Sequence, residues 1–203
     1  VWGEYYGAPG GGLQLARETV SHLLNIPVDY AIMADFEGFI GLIDAIGGVV
    51  VHVEKELHDS VFPTMNYGYT TVHFAPGRQL MNGERALTYS RIRHPDSDFM
   101  RTRRQQAVIV AIGERLQERG DLKNLTSLTQ ITGALRGFVQ TDMPEERILG
   151  LAWAFRNVDV NTITHVGVSS DMVSWGVGGD RYALTVPRAT LQTLTEAFLD
   201  GEE

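Results

Sequence analysis

Leu13, Ala16, Val20, Leu23 and Leu24 recur at helical spacing behind Gly10 to Gly12, and Pro27 closes the run. This pattern predicts an amphipathic helix through about Asn25. Val28 to Ala34 is short, almost wholly apolar and partly β-branched, as a strand covered on both faces would be. Asp35 stands where a helix cap belongs. Behind it Phe36, Phe39, Ile40, Ile43 and Ile46 form one stripe, predicting a helix from Phe36 to Ile46. Gly47 and Gly48 stop that helix, and Val49 to Glu54 reads as a second strand. Strand, helix and strand joined by such short breaks predict a tight βαβ unit, hence an α/β fold with a covered sheet.

Residues 57 to 80 change character, because Pro, Gly, Asn and Tyr punctuate them. They predict a loop and an antiparallel edge hairpin with Tyr69 to Phe74 as one arm. Asn82 caps a short helix, Gly83 to Tyr89, and a long helix runs from about Phe99 to Arg119, where Gly120 stops it. Leu122 to Phe138 and Pro144 to Asn157 read as helices, the latter with Pro144 at its first position. Thr162 to Val168 and Tyr182 to Val186 read as strands, and Pro187 to Leu199 as a last helix. No repeat or low-complexity linker divides residues 1–203, which predicts a single domain.

Composition narrows the possibilities. With 43% apolar residues the 203-residue chain can bury an ordinary core, and without cysteine it has neither a disulfide framework nor a thiolate metal site. The longest apolar run, Ala107 to Ile112, is far short of the roughly 18 residues a bilayer span needs. Val1 is not a natural start and no signal segment is visible, which points to a domain cut from a longer chain.

Charge carries the first functional hint. Of 17 basic residues 15 are arginine, and Arg91, Arg93, Arg101, Arg103 and Arg104 fall within 14 consecutive positions. With Asp96 and Asp98 that window nets +3, so the rest of a chain of net charge −8 carries −11. A small basic island on an acidic protein suits a compact anion better than nucleic acid, whose phosphate track would meet repulsion elsewhere. Guanidinium also grips phosphate oxygens in a planar fork. A solvated, salt-bridged helix end has the same composition.

Tyr89 to Gln106 reads YSRIRHPDSDFMRTRRQQ. If Ser90 to Arg93 is extended, Arg91 and Arg93 share one side while Ile92 points inward. Pro95 turns the chain, and Asp96 or Asp98 can cap the next helix. On that helix Arg101 and Gln105 lie one turn apart, and Val108, Ile112 and Leu116 continue the same face. A helix start also favours an anion through its free N–H groups and dipole. Such a site would hold a phosphate or pyrophosphate whose organic tail lies along the apolar face. Equally, Val108, Ile112 and Leu116 fit ordinary core, and periodicity does not separate the two.

The arginine segment resembles the motif of the LytR–CpsA–Psr family, close to Y-x-R-x-R-x-x-D-x-D-x-x-R-x-x-R-Q. The resemblance extends upstream through PGGGLQLARETVSHLLNIPVDYAIMADFEGFIGLIDAIGGVVVHV and FAPGRQLMNGERALTYSR, so residues 2–119 carry motifs in order while residues 120–203 look like the domain's variable end. What it implies is a three-layer α/β/α fold with a central mixed sheet and a membrane-anchored, extracytoplasmic phosphotransferase. Such an enzyme moves the phosphosugar end of a polyprenyl-pyrophosphate-linked glycopolymer (teichoic acid, capsule or similar) onto a peptidoglycan hydroxyl, with magnesium assisting and the lipid tail in an apolar tunnel. By position Arg91, Arg93 and Arg101 would hold the pyrophosphate, with Arg104, Gln105, Val108 and Ile112 also at the substrate and Asp96 and Asp98 orienting arginines. The family's magnesium ligands lie on earlier strands with no counterpart after Val1, so they are expected upstream, and this chain alone would be inactive. The alternatives are a binding module that holds polyprenyl phosphates without turnover and a transcriptional attenuator.

Other features point elsewhere. Asp35 and Glu37 fit helix capping better than an acid pair, the six histidines lack ligand spacing, and Gly10 to Gly12 lack the Lys-Ser/Thr of a phosphate loop. Trp153 and Phe155 are expected as core or helix contacts rather than a sugar platform. The Asn124-Leu125-Thr126 sequon is not assigned a glycan.

Overall fold

The computed structural model describes residues 7, 10–135 and 137–201. Trp2 and Pro9, at the head of the motif-bearing stretch, lie outside them. The chain forms two compact units, one spanning residues 32–161 and the other built from the described residues before and after it.

In the larger unit β1 (Ile32–Ala34) is followed by α2 (Phe36–Ala45), whose start is held by Asp35: Oδ1 accepts from the Gly38 N–H at 2.7 Å. Gly47 and Gly48, at φ 77° and 85°, make the left-handed turn into β2 (Val49–Val53). Val49, Val51 and Val53 alternate inward there while His52 faces out, the period of a strand with one buried face. Next come β3 (Leu57–Pro63), β4 (Tyr69–Phe74) and β5 (Gly77–Met81). Helix α3 (Gly83–Arg91) and the long α4 (Asp98–Glu118) carry the arginine segment. After them come α5 (Leu125–Ala134), β6 (Val139–Thr141) and α6 (Glu145–Phe155).

The core gathers Ile43, Ile46, Val49, Val51, Val53, Leu57, Phe62, Phe74, Met81, Ala86, Tyr89, Ile92, Val108 and Ala111. Helices α2 and α3 approach so closely that a Cβ on Gly83 would lie 2.4 Å from the Ile40 carbonyl oxygen. The Gly83 N–H also donates to Asp44 Oδ1 at 2.8 Å, tying the two helices at that point.

The smaller unit contains α1 (Gly11–Leu24), a hairpin of β7 (Ser174–Val177) and β8 (Asp180–Thr185), and α7 (Arg188–Asp200), with α1 packed on α7. Val20, Leu24, Ile26, Val168, Leu191 and Phe198 help line an apolar cavity of about 410 Å³ within it.

The class is α/β, but the strand arrangement departs from expectation. Described strands pair two by two and antiparallel (β1 with β6, β2 with β5, β3 with β4, β7 with β8) rather than in one central mixed sheet. The predicted βαβ unit therefore does not form, since β1 and β2 take different partners. Only Ile32 to Ala34 of the predicted strand is extended in a ladder, and all three are exposed. Thr162 to Val168 makes no strand, while β5, β6 and β7 were not anticipated. The helix expected from Leu122 to Phe138 starts instead with a short 3₁₀ turn, Asp121–Lys123, because Asn124 leaves the helical conformation to cap α5. Pro144 likewise stands just before α6, not inside it. Trp153 and Phe155, expected to be packed, are about half exposed, and Arg156 stacks on Trp153.

Candidate functional site

Asn82 starts α3 by accepting the Arg85 N–H on Oδ1 at 3.0 Å. Nothing in Glu84 to Ser90 breaks a helix, and the Thr88 and Ser90 hydroxyls bond back to the carbonyls of Glu84 and Leu87. The helix thus runs two residues beyond Tyr89, and Ser90 and Arg91 are helical rather than extended. Arg91 and Arg93 are therefore not alternate residues of a strand. Ile92, which leaves the helix, is fully buried as predicted.

Arg91 sits on the last turn of α3, half-buried, with its guanidinium carbon 4.7 Å from the Phe36 ring centroid and 5.2 Å from that of Phe62. Stacking on the rings holds the plane of the cation while its in-plane N–H edges stay available. Arg93 lies on the following loop, exposed, and makes no side-chain hydrogen bond or ion pair among the described residues.

Asp96 does not cap the next helix. Ser97 does, its hydroxyl accepting from the Met100 N–H at 3.3 Å. Asp96 is instead clamped by Arg104 in a fork of two bonds, 2.8 and 3.0 Å, with both side chains more than nine-tenths buried. Arg104 also donates to the Ile92 carbonyl, and Lys55 stands 3.7 Å from Asp96. Arg104, expected at the substrate, is thus turned inward to pin the 92–97 loop onto α4. The reason is desolvation: a guanidinium this deep is tolerable only with its charge matched by a carboxylate. Arg101 pairs with Asp98 one turn back at 2.9 Å, remains partly exposed, and keeps its buried Nε without a hydrogen-bond partner. Both motif aspartates are consequently engaged by arginines.

Gln105 is exposed and reaches the Ser90 carbonyl at 3.4 Å. Val108 is fully buried in the core, so it lines no surface here, and Ile112 and Leu116 are partly buried against the same cluster. The apolar face of α4 is spent on packing against β2 and its neighbours, the ordinary fate of such a stripe. Behind the arginines, Tyr89, Met100, Arg103 and Arg104 help enclose a space of only about 50 Å³.

Three features were missed in the sequence. Phe36 and Phe62 support Arg91. Asp59, almost wholly buried in β3, accepts the Val61 N–H on Oδ1 at 3.0 Å and holds His94 Nδ1 at 2.9 Å on Oδ2. The available signal was a carboxylate sharing the inward face of a strand with Leu57, hidden because the hairpin predicted within residues 57–80 had only its Tyr69–Phe74 arm placed. Burial raises the Tyr89 phenol above its ordinary pKa near 10, with Glu54 and Asp96 adding to the effect and Arg104 opposing it. Among the described residues no three of His, Asp and Glu come together to hold a metal ion.

The sequence profile of the LytR_cpsA_psr family matches residues 6–197. The regulatory protein MsrR of Staphylococcus aureus (strain COL) is 32% identical over 198 residues, 95% of this chain and 57% of MsrR. The polyisoprenyl-teichoic acid–peptidoglycan teichoic acid transferase TagU of Bacillus cereus (strain ATCC 14579) is 28% identical over 149 residues, 72% of this chain and 45% of TagU. The chain thus spans about half the length of these curated relatives. The crystal structure of B. subtilis TagV superposes with a TM-score of 0.75 at 23% identity, covering 94% of this chain and 70% of TagV, and so shares the fold.

Proposed function

The chain belongs to the LytR_cpsA_psr family, and from that premise we propose that it serves a phosphotransferase of the bacterial cell envelope. Its substrate is a glycopolymer carried on polyprenyl pyrophosphate, and the acceptor is a hydroxyl of peptidoglycan. The observation that carries this reading is the division of the motif arginines. Arg104 is sequestered with Asp96, whereas Arg91 and Arg101, on either side of the 92–97 loop, are partly exposed and Arg93, within it, is exposed. Three guanidiniums at such a turn neutralise the non-bridging oxygens of a pyrophosphate, and phosphoryl transfer depends chiefly on that and on positioning. The similarity to TagU, named for transfer of teichoic acid from a polyisoprenyl carrier to peptidoglycan, supports the choice of donor and acceptor.

Magnesium belongs to this reading only through the family resemblance. The described residues do not fit it, because Asp96 and Asp98 are taken up by Arg104 and Arg101. The parent protein would work at the outer face of the membrane; among the described residues no helix is long and apolar enough to cross it.

In the full-length protein, Arg93→Ala and Arg101→Ala should each weaken binding of a polyprenyl pyrophosphate at least tenfold, about 1.4 kcal/mol. Unchanged binding in both removes the pyrophosphate assignment. Transfer of a labelled lipid-linked saccharide separates an enzyme from a binding module, and transfer that survives a chelator removes magnesium. The name of MsrR favours a second reading, a regulator. Salt-sensitive capture of duplex DNA at micromolar protein would support it, although a surface carrying −11 outside its basic island opposes DNA.

A further inference from the structure

The buried Asp59 has no role in gripping a pyrophosphate, yet it is one of the few charged groups in the interior, at 1% side-chain exposure. A carboxylate there must be matched or it costs several kcal/mol. Its Oδ1 is satisfied by the Val61 N–H across the β3 irregularity, and Oδ2 is satisfied by His94. A carboxylate only accepts, so His94 Nδ1 carries the proton of that bond, and the tautomer this selects has its lone pair on Nε2. His94 stands directly between Arg93 and Pro95 in the anion-binding segment, with its side chain 39% exposed. A carboxylate buried in the strand thus sets the tautomer of a partly exposed histidine that is next in sequence to an arginine assigned to the pyrophosphate.

We infer that Asp59 and His94 form a dyad in which His94 Nε2 is the general base for the acceptor hydroxyl. The inference rests on the transferase reading above. In the step it describes, the acceptor O–H gives its proton to Nε2 as its oxygen bonds to the phosphorus that carries the glycopolymer. The bond from that phosphorus to the bridging oxygen breaks, and polyprenyl phosphate leaves with the electron pair. The imidazolium formed faces the Asp59 carboxylate, which stabilises it, and the ring later returns the proton to solvent.

The test uses the full-length protein with a labelled polyprenyl-pyrophosphate-linked saccharide and peptidoglycan. His94→Ala should retain binding of the lipid-linked saccharide while its transfer rate falls 100-fold or more, the usual range for a lost general base. Added imidazole should restore a measurable part of that rate in His94→Ala and none in an Arg101→Ala control. Asp59→Asn offers the ring an amide in place of a pure acceptor, so kcat should fall at least tenfold with KM little changed. If Asp59→Asn melts well below wild type, His94→Ala with imidazole decides alone. Wild-type transfer by His94→Ala overturns the dyad. So does a loss that imidazole does not relieve and that is accompanied by lost lipid binding, since His94 would then only hold the loop. A wild-type protein that does not bind the lipid-linked saccharide overturns the transferase reading beneath it, which is a separate result.

Discussion

At the scale of single residues, similar side chains in one motif have opposite fates. Arg104 and Asp96 are both at least nine-tenths buried, whereas Arg101 and Asp98 meet at the surface one helical turn apart. Asp96→Ala leaves a guanidinium stranded in the interior and should cost about 3–5 kcal/mol of folding stability, read by urea denaturation. Asp98→Ala removes an exposed pair and should cost less than about 1 kcal/mol in the same assay. Comparable losses in both would mean that the inward clamp is absent. This distinction was not legible in the sequence, where the arginines of YSRIRHPDSDFMRTRRQQ look alike. The clamp joins positions eight apart across a loop, a spacing that neither helical nor strand periodicity marks. Ile92 was legible, being the apolar residue between two cations.

At the scale of elements, local chemistry wrote the helices plainly and the strand partners hardly at all. Asp35 and Asn82 cap α2 and α3 where the sequence places them, and Gly47-Gly48 ends the run before β2 as expected. A cap is a bond between neighbours in the chain, so nearby residues suffice to specify it. Pairing β2 with β5 joins residues about 30 apart, Val49 with Met81 and Val53 with Gly77, and no nearby residue encodes that choice. The stop of α3 was missed for a related reason: no breaker marks it, and the helix runs on to Arg91 before Ile92 leaves it and turns into the core. Close packing at the start of α3 yields a further expectation. Gly83→Ala would push a methyl into the backbone of Ile40 and should destabilise by about 1–3 kcal/mol, seen as a lower midpoint in denaturant. Asn82→Ala, which removes only the cap bond, should cost about 1 kcal/mol. A neutral Gly83→Ala would mean that the two helices stand further apart.

At the scale of the whole molecule, Tyr89 links the core to pH. Its buried phenol stays neutral to higher pH than an exposed tyrosine, whose pKa is near 10. Above that value the unfolded chain loses this proton while the folded chain keeps it, so the folded state binds more protons and stability falls as pH rises. Thermal unfolding of Tyr89→Phe should therefore show a shallower decline on the alkaline side of pH 10 than wild type. Equal slopes would place the phenol in contact with water. The α/β class and the acidic balance around a basic island were readable from the chain as a whole, whereas the division into two units was not, because the smaller unit joins residues from both ends of the sequence.

The contact of Gly83 with Ile40 also acts at a distance. Helix α3 is nine residues long, about 13 Å from end to end, with that contact at one end and Arg91 at the other, next to the buried Ile92. A wedge as small as one methyl group, tilting the rod by ~10°, would swing the tip by about 2 Å, and displacements near 1 Å can slow an enzyme about 100-fold. The aim of the Arg91 guanidinium is therefore vulnerable to a change at the opposite end of its helix.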